Sequence, residues 1–112
     1  MPDYTVYGLT LRLPFPCPPL APAAVGAAPD IVVVDGAVPR QLAAPLAEAP
    51  GWQAEAGRFL YRAGQRAGRY LAEGGARVTL QRGQQAEDDL LAFYFLDTVL
   101  AALLRQRGLL VL

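Results

Sequence analysis

The chain contains no lysine, histidine, serine or asparagine, and all ten of its cations are arginine. These absences remove most of the side chains on which catalysis draws. A phosphate-loop lysine with its hydroxyl partner, a Ser-His pair, a Schiff-base amine and an imidazole ligand are all excluded. Heavy use of Ala, Arg, Gly, Pro and Leu points to a GC-rich coding bias, which explains part of the missing lysine and asparagine. Cysteine is nearly absent too: Cys17 stands alone, so no internal disulfide can form, as fits a reducing cytosol. Ten acidic residues cancel ten arginines, which leaves no basic footprint for nucleic acid. The N-terminus shows no positive segment followed by an apolar run, so no secretion signal is read there. The expectation is a cytoplasmic chain that is not itself an enzyme, holds no cofactor or metal of its own, and binds or positions something.

What is present divides near residue 50. The 112 residues suffice for a single domain, and all ten prolines lie at or before Pro50. In the proline-rich half (1–50), the β-branched and aromatic residues of Tyr4–Leu13 suggest one strand, with Leu9, Leu11 and Leu13 on its buried face. Pro14-Phe15-Pro16-Cys17-Pro18-Pro19 ends that ladder, because proline supplies no N–H. Ile31-Val32-Val33-Val34 reads as a second strand before the Asp35-Gly36 turn, and residues 37–50 as a loop. Beyond them, residues 57–82 read as an antiparallel meander with a Gly74-Gly75 turn.

The clearest helix runs over 86–107. Acidic Glu87, Asp88 and Asp89 open it, Arg105 and Arg107 close it, and Gly108 stands in the capping position. On a wheel of 100° per residue, about 260° of its circumference is apolar, whereas a helix lying on one sheet needs little more than 100°. One flank, with Leu91, Phe95, Val99 and Ala102, is expected to cover the meander. The other carries Phe93, Leu96, Leu100 and Leu104, each worth about 1.5–3 kcal/mol when buried. Either residues 1–50 wrap that flank or a separate body does. The apolar run Leu109-Leu110-Val111-Leu112 reads as a terminal strand buried on both faces and favours a separate body, as though more polypeptide once followed. A membrane span is not expected, because Leu90–Leu104 is 15 residues long and interrupted by Asp97-Thr98, against about 20 needed. The fold class expected is α+β: a small, mostly antiparallel sheet with one long C-terminal helix packed on it.

Tyr7-Gly8-Leu9, the meander segments Gly68–Leu71 and Gly75–Leu80, and above all Leu91…Leu96…Leu100–Leu112 carry a resemblance. Together they resemble the N-terminal region of HPr-kinase-like P-loop proteins, including relatives associated with lasso-peptide and other peptide-modifying gene clusters. In that family a helix ending in an arginine-glycine turn leads into an apolar strand, a His-Ala-Ser-like segment and then the phosphate loop. This chain stops where that segment would begin and has no lysine to build the loop, so none of the family's catalytic residues can be carried over. The resemblance implies a noncatalytic docking or regulatory module for a P-loop kinase core, in the same longer chain or a separate one. ATP and Mg²⁺ would belong to that core. The candidate interface is Phe93, Leu96, Leu100, Leu104, Leu110 and Leu112. The alternative is a free-standing peptide-binding or homo-oligomerisation module that uses a sheet edge or the same helix.

Other features have plainer readings. Cys17, between prolines and without a histidine, reads as structural rather than nucleophilic. Glu87-Asp88-Asp89 reads as charge compensation at a helix start, not a metal cluster. Asp97 reads as solvent-facing, with Arg105 as a possible ion-pair partner. Arg58, Arg62, Arg66, Arg69, Arg77 and Arg82 read first as a solvated sheet face and second as an anion-binding one.

Overall fold

The computed structural model describes residues 2–109. Among these described residues nine strands form one mixed sheet, and a single C-terminal helical rod lies across it. In chain order the strands are β1 (Asp3–Val6), β2 (Leu9–Arg12), β3 (Ala21–Pro22), β4 (Ile31–Asp35), β5 (Ala47–Ala49), β6 (Trp52–Glu55), β7 (Arg58–Arg62), β8 (Gly68–Glu73) and β9 (Arg77–Arg82). The spatial order is β3-β1-β2-β4-β9-β8-β7-β6-β5.

This corrects the expectation of a small sheet. Two differences account for most of it. The segment Tyr4–Leu13 is not one strand but a hairpin, because Tyr7 and Gly8 both take left-handed backbone angles, with φ of 52° and 76°. That geometry suits a two-residue turn between right-twisted strands. The meander also extends through β6 into β5, which lies within the segment expected to be a loop.

β4 joins the two halves. It pairs in parallel with β2 on one side and β9 on the other, while every other pairing is antiparallel. Its apolar run Ile31–Val34 nevertheless alternates in depth: Ile31 and Val33 join the rod-side core, whereas Val32 and Val34 are only half-buried on the reverse face. Ile31 and Val33 are fully buried.

The helical rod comprises α1 (Asp88–Tyr94), a π-helical turn (Phe95–Val99) and α2 (Leu100–Gln106). Its buried residues Leu91, Phe95, Val99 and Leu103 recur every four positions, and each is fully buried. On a regular α-helix a four-residue repeat drifts about 40° per step. The wider π-turn takes that drift out and keeps all four on the sheet. At the end, the Gly108 N–H donates to the Arg105 carbonyl and the Leu109 N–H to the Leu104 carbonyl, with Gly108 at φ 75°. This is the Schellman cap that the glycine suggested.

The rod's last turn is latched to the β8–β9 turn. The Gly75 N–H donates to Gln106 Oε1 at 2.8 Å, Gln106 Nε2 donates to the Ala72 carbonyl, and Arg107 Nη1 donates to the Gly75 carbonyl. Gly75 has φ 69°, and a Cβ there would run into the Arg107 side chain.

Between rod and sheet lies the main core, which includes Leu11, Leu13, Phe15, Tyr70, Val78 and Leu80. Leu9, Leu11 and Leu13 share the buried face, as their alternation indicated. The reverse face holds a smaller cluster of Val38, Leu42, Leu60 and Leu71, where the segment after β4 crosses the sheet. Among the described residues no helix is long and apolar enough to cross a membrane.

Candidate functional site

The outward flank of the rod is only partly open. Phe93 is 56% exposed, and Leu96 and Leu104 are half-buried. Leu100, expected beside them, is 4% exposed and belongs to the core. The π-turn is the physical reason: a uniform 100° wheel misplaces every residue after it. Leu110 and Leu112 lie outside the described residues, as does most of the expected terminal strand, while Leu109 is irregular and 58% exposed.

The proline-rich half does cover part of this flank. Phe15 packs edge-on against Phe95 with ring centroids 6.1 Å apart. Pro18 and Pro19 face Ala92, Phe93 and Leu96 across a shallow groove of about 490 Å³. An aromatic row ends at Phe93: Tyr70 meets Tyr61, Tyr61 meets Tyr94, and Tyr94 meets Phe93. The buried Tyr70 hydroxyl donates to the Leu91 carbonyl at 2.9 Å, and burial pushes its pKa well above the ordinary value.

A second groove, of about 520 Å³, lies between the rod and strands β5–β7. Its floor is Trp52 stacked on Phe59 at 5.9 Å, with Ala47 and Ala54 from the strands and Ala101 and Ala102 from α2. Arg58, Arg105, Asp97 and Thr98 line its rim. Asp97 accepts a hydrogen bond from Thr98 Oγ1, and among the described residues it makes no ion pair with Arg105. β5 borders the groove and is the last strand of the sheet, so one of its edges has no strand partner among the described residues.

The remaining candidates are placed as follows. Cys17 is fully buried, its N–H donates to Tyr4 Oη, and burial pushes its thiol pKa up, the setting of an unreactive cysteine. Glu87 pairs with Arg66 at 2.6 Å and Asp88 approaches Arg82 at 3.5 Å, so two of the three helix-start acids answer arginines. Among the described residues no three His, Cys, Asp or Glu side chains are grouped to hold a metal ion. The six meander arginines do not form one face. Arg58 pairs with Glu55 and Glu73, whereas Arg62 and Arg69 have no carboxylate partner among the described residues. Comparison with known proteins finds no matching family model, no matching curated protein and no matching solved structure.

Proposed function

We propose that this chain is a noncatalytic docking module whose rod engages a P-loop kinase core of the HPr-kinase-like kind. Two independent lines support the reading. Residues 91–112 resemble the segment that precedes such a core, and the rod keeps an apolar flank that its own first half leaves partly uncovered. The observation that carries it is Phe93, a large apolar side chain 56% exposed in the middle of a helix face, beside the groove it shares with Pro18 and Pro19. Burying it against a partner contributes about 1.5–3 kcal/mol. ATP and Mg²⁺ belong to the partner core in this reading, and the chain's role is to position that core or regulate it.

The test places a benzophenone amino acid at position 93 of the full chain and irradiates it in extract from its native host. The expected product is a cross-link to a polypeptide carrying a Gly-rich Lys-Ser/Thr phosphate loop. A cross-link to any other polypeptide, or none at all, overturns the assignment.

One observation favours a second reading, a peptide-binding or self-associating module: the open edge of β5 stands beside the larger groove with its Trp52–Phe59 floor. An added strand would extend the sheet and lay side chains on that floor. A dimer in light scattering, with amide exchange slowed at residues 47–49, would shift the conclusion to this reading.

A further inference from the structure

The reverse face of the sheet carries a cleft that the docking reading leaves unused. It measures about 490 Å³ and is bordered by Arg40, Arg62, Arg69 and Arg82, with Gln65 and Gln81 among its other walls. The rest of its lining is glutamine and glycine, and no carboxylate is among the residues that form it. In a chain without net charge, this is a concentrated positive site.

The side chains of Arg62, Arg69 and Arg82 are held by hydrogen bonds, whereas that of Arg40 makes none to a described residue. Arg69 donates through Nε and Nη2 to the Val38 carbonyl and through Nη2 to Gln81 Oε1. Gln81 Oε1 also accepts the Val38 N–H, which fixes the segment that carries Arg40. Arg62 Nη1 donates to the Arg40 carbonyl at 2.9 Å. Arg82 is already answered by Asp35 and Asp88, so its charge is largely spent. Arg40, Arg62 and Arg69 have no carboxylate partner among the described residues, and each guanidinium keeps N–H donors beyond those already bonded. The β7–β8 register sets Arg62 directly opposite Arg69. Like charges in that position repel one another, and an anion between them removes the repulsion.

We propose that this cleft binds a compact phosphoryl polyanion, either a free pyrophosphate-type ion or the phosphate end of a small molecule. Three arginines from two strands and a loop line this one cleft. A tetrahedral phosphoryl group presents oxygens to all three, whereas a planar carboxylate engages one fork. A nucleic acid fits poorly, because the lining holds no aromatic side chain on which a base could stack. The proposal is independent of the docking reading, since it concerns the opposite face of the sheet.

The test titrates the full chain with inorganic pyrophosphate and follows backbone amide shifts, with ribose 5-phosphate as the phosphate-monoester arm and citrate as the carboxylate control. Saturable shifts confined to residues 38–41, 62–69 and 81–84 are expected, with citrate at least tenfold weaker. Tighter binding of pyrophosphate identifies a free polyphosphate as the ligand type; tighter binding of the sugar phosphate identifies a phosphate end. Arg40→Gln, whose side chain makes no hydrogen bond to any described residue, is expected to weaken binding about tenfold with the ligand-free melting temperature unchanged. Arg77→Gln, outside the cleft, is expected to leave affinity as it was. Scattered, non-saturating shifts would overturn the proposal. So would equal affinity in Arg40→Gln, or citrate binding as tightly as either phosphate.

Discussion

Toward the rod, the sheet is covered by a helix whose side chains interlock with Leu11, Tyr70, Val78 and Leu80 in a continuous apolar core. On the reverse face only Val38, Leu42, Leu60 and Leu71 are grouped among the described residues, and the crossing segment is pinned by polar side chains. Gln81 Oε1 accepts the Val38 N–H, Gln53 Oε1 accepts the buried Leu42 N–H at 2.7 Å, and Arg69 holds the Val38 carbonyl. The contrast shows two ways of closing a sheet. A thick apolar layer is secured by volume, and a thin one needs directional bonds to fix a strap that hydrophobic burial alone would let slide.

That contrast can be broken from either side, and the largest effect is expected in the thick layer. Phe95→Ala removes a fully buried ring in contact with Phe15 and is expected to cost about 3–5 kcal/mol in urea unfolding. Leu42→Ala, in the four-residue cluster, is expected to cost about 2 kcal/mol, because a small cluster near the surface can relax into the space. Costs in the reverse order would show that the strap, not the rod, anchors the fold.

Next comes Gly75→Ala, at about 1–3 kcal/mol, because the position has positive φ and the added methyl meets the Arg107 side chain. Unlatching of Gln106 and Arg107 would appear as faster amide exchange at Gly75. Gln53→Ala is expected to cost about 1–2 kcal/mol by leaving the Leu42 N–H without its acceptor, with exchange accelerated at that amide alone.

The smallest effect concerns acid. The hydrogen bond and charge of Arg12 hold the Asp3 carboxyl below its ordinary 3.8. A folded value lower than the unfolded one means the pair's contribution is present above about pH 4 and fades as pH falls through the folded value. Asp3→Asn should therefore lower stability slightly near neutrality, flatten its acid limb, and make no difference once pH has fallen below the folded value. A carboxyl of Asp3 titrating at or above 3.8 by NMR would remove the basis for this expectation.

Much of the local structure could be read from the residues. Glycine punctuation located the strands of residues 57–82, and the charge gradient from Glu87 to Arg107 located the rod. Phase and pairing could not be read so. The π-turn follows from a four-residue repeat of side chains that must meet the sheet, which a fixed wheel conceals, and Leu100 was misplaced for that reason. The parallel seams of β4 depend on partners distant in sequence. Ala47–Ala49 lacks the β-branched residues that announce a strand and is ordered only by its pairing with β6. Arg40 sat in a segment without periodicity, and only the crossing of the sheet brings it to Arg62 and Arg69.

The position of β4 has a consequence for biosynthesis. Its partner β9 is made only after the intervening hairpins, so Ile31–Val34 emerges from the ribosome with the larger part of its strand pairing still untranslated. Nascent chains halted before residue 77 should therefore expose this greasy tetrapeptide to chaperones, and its rod-side face should be withdrawn only once Leu91–Leu103 can pack on the sheet.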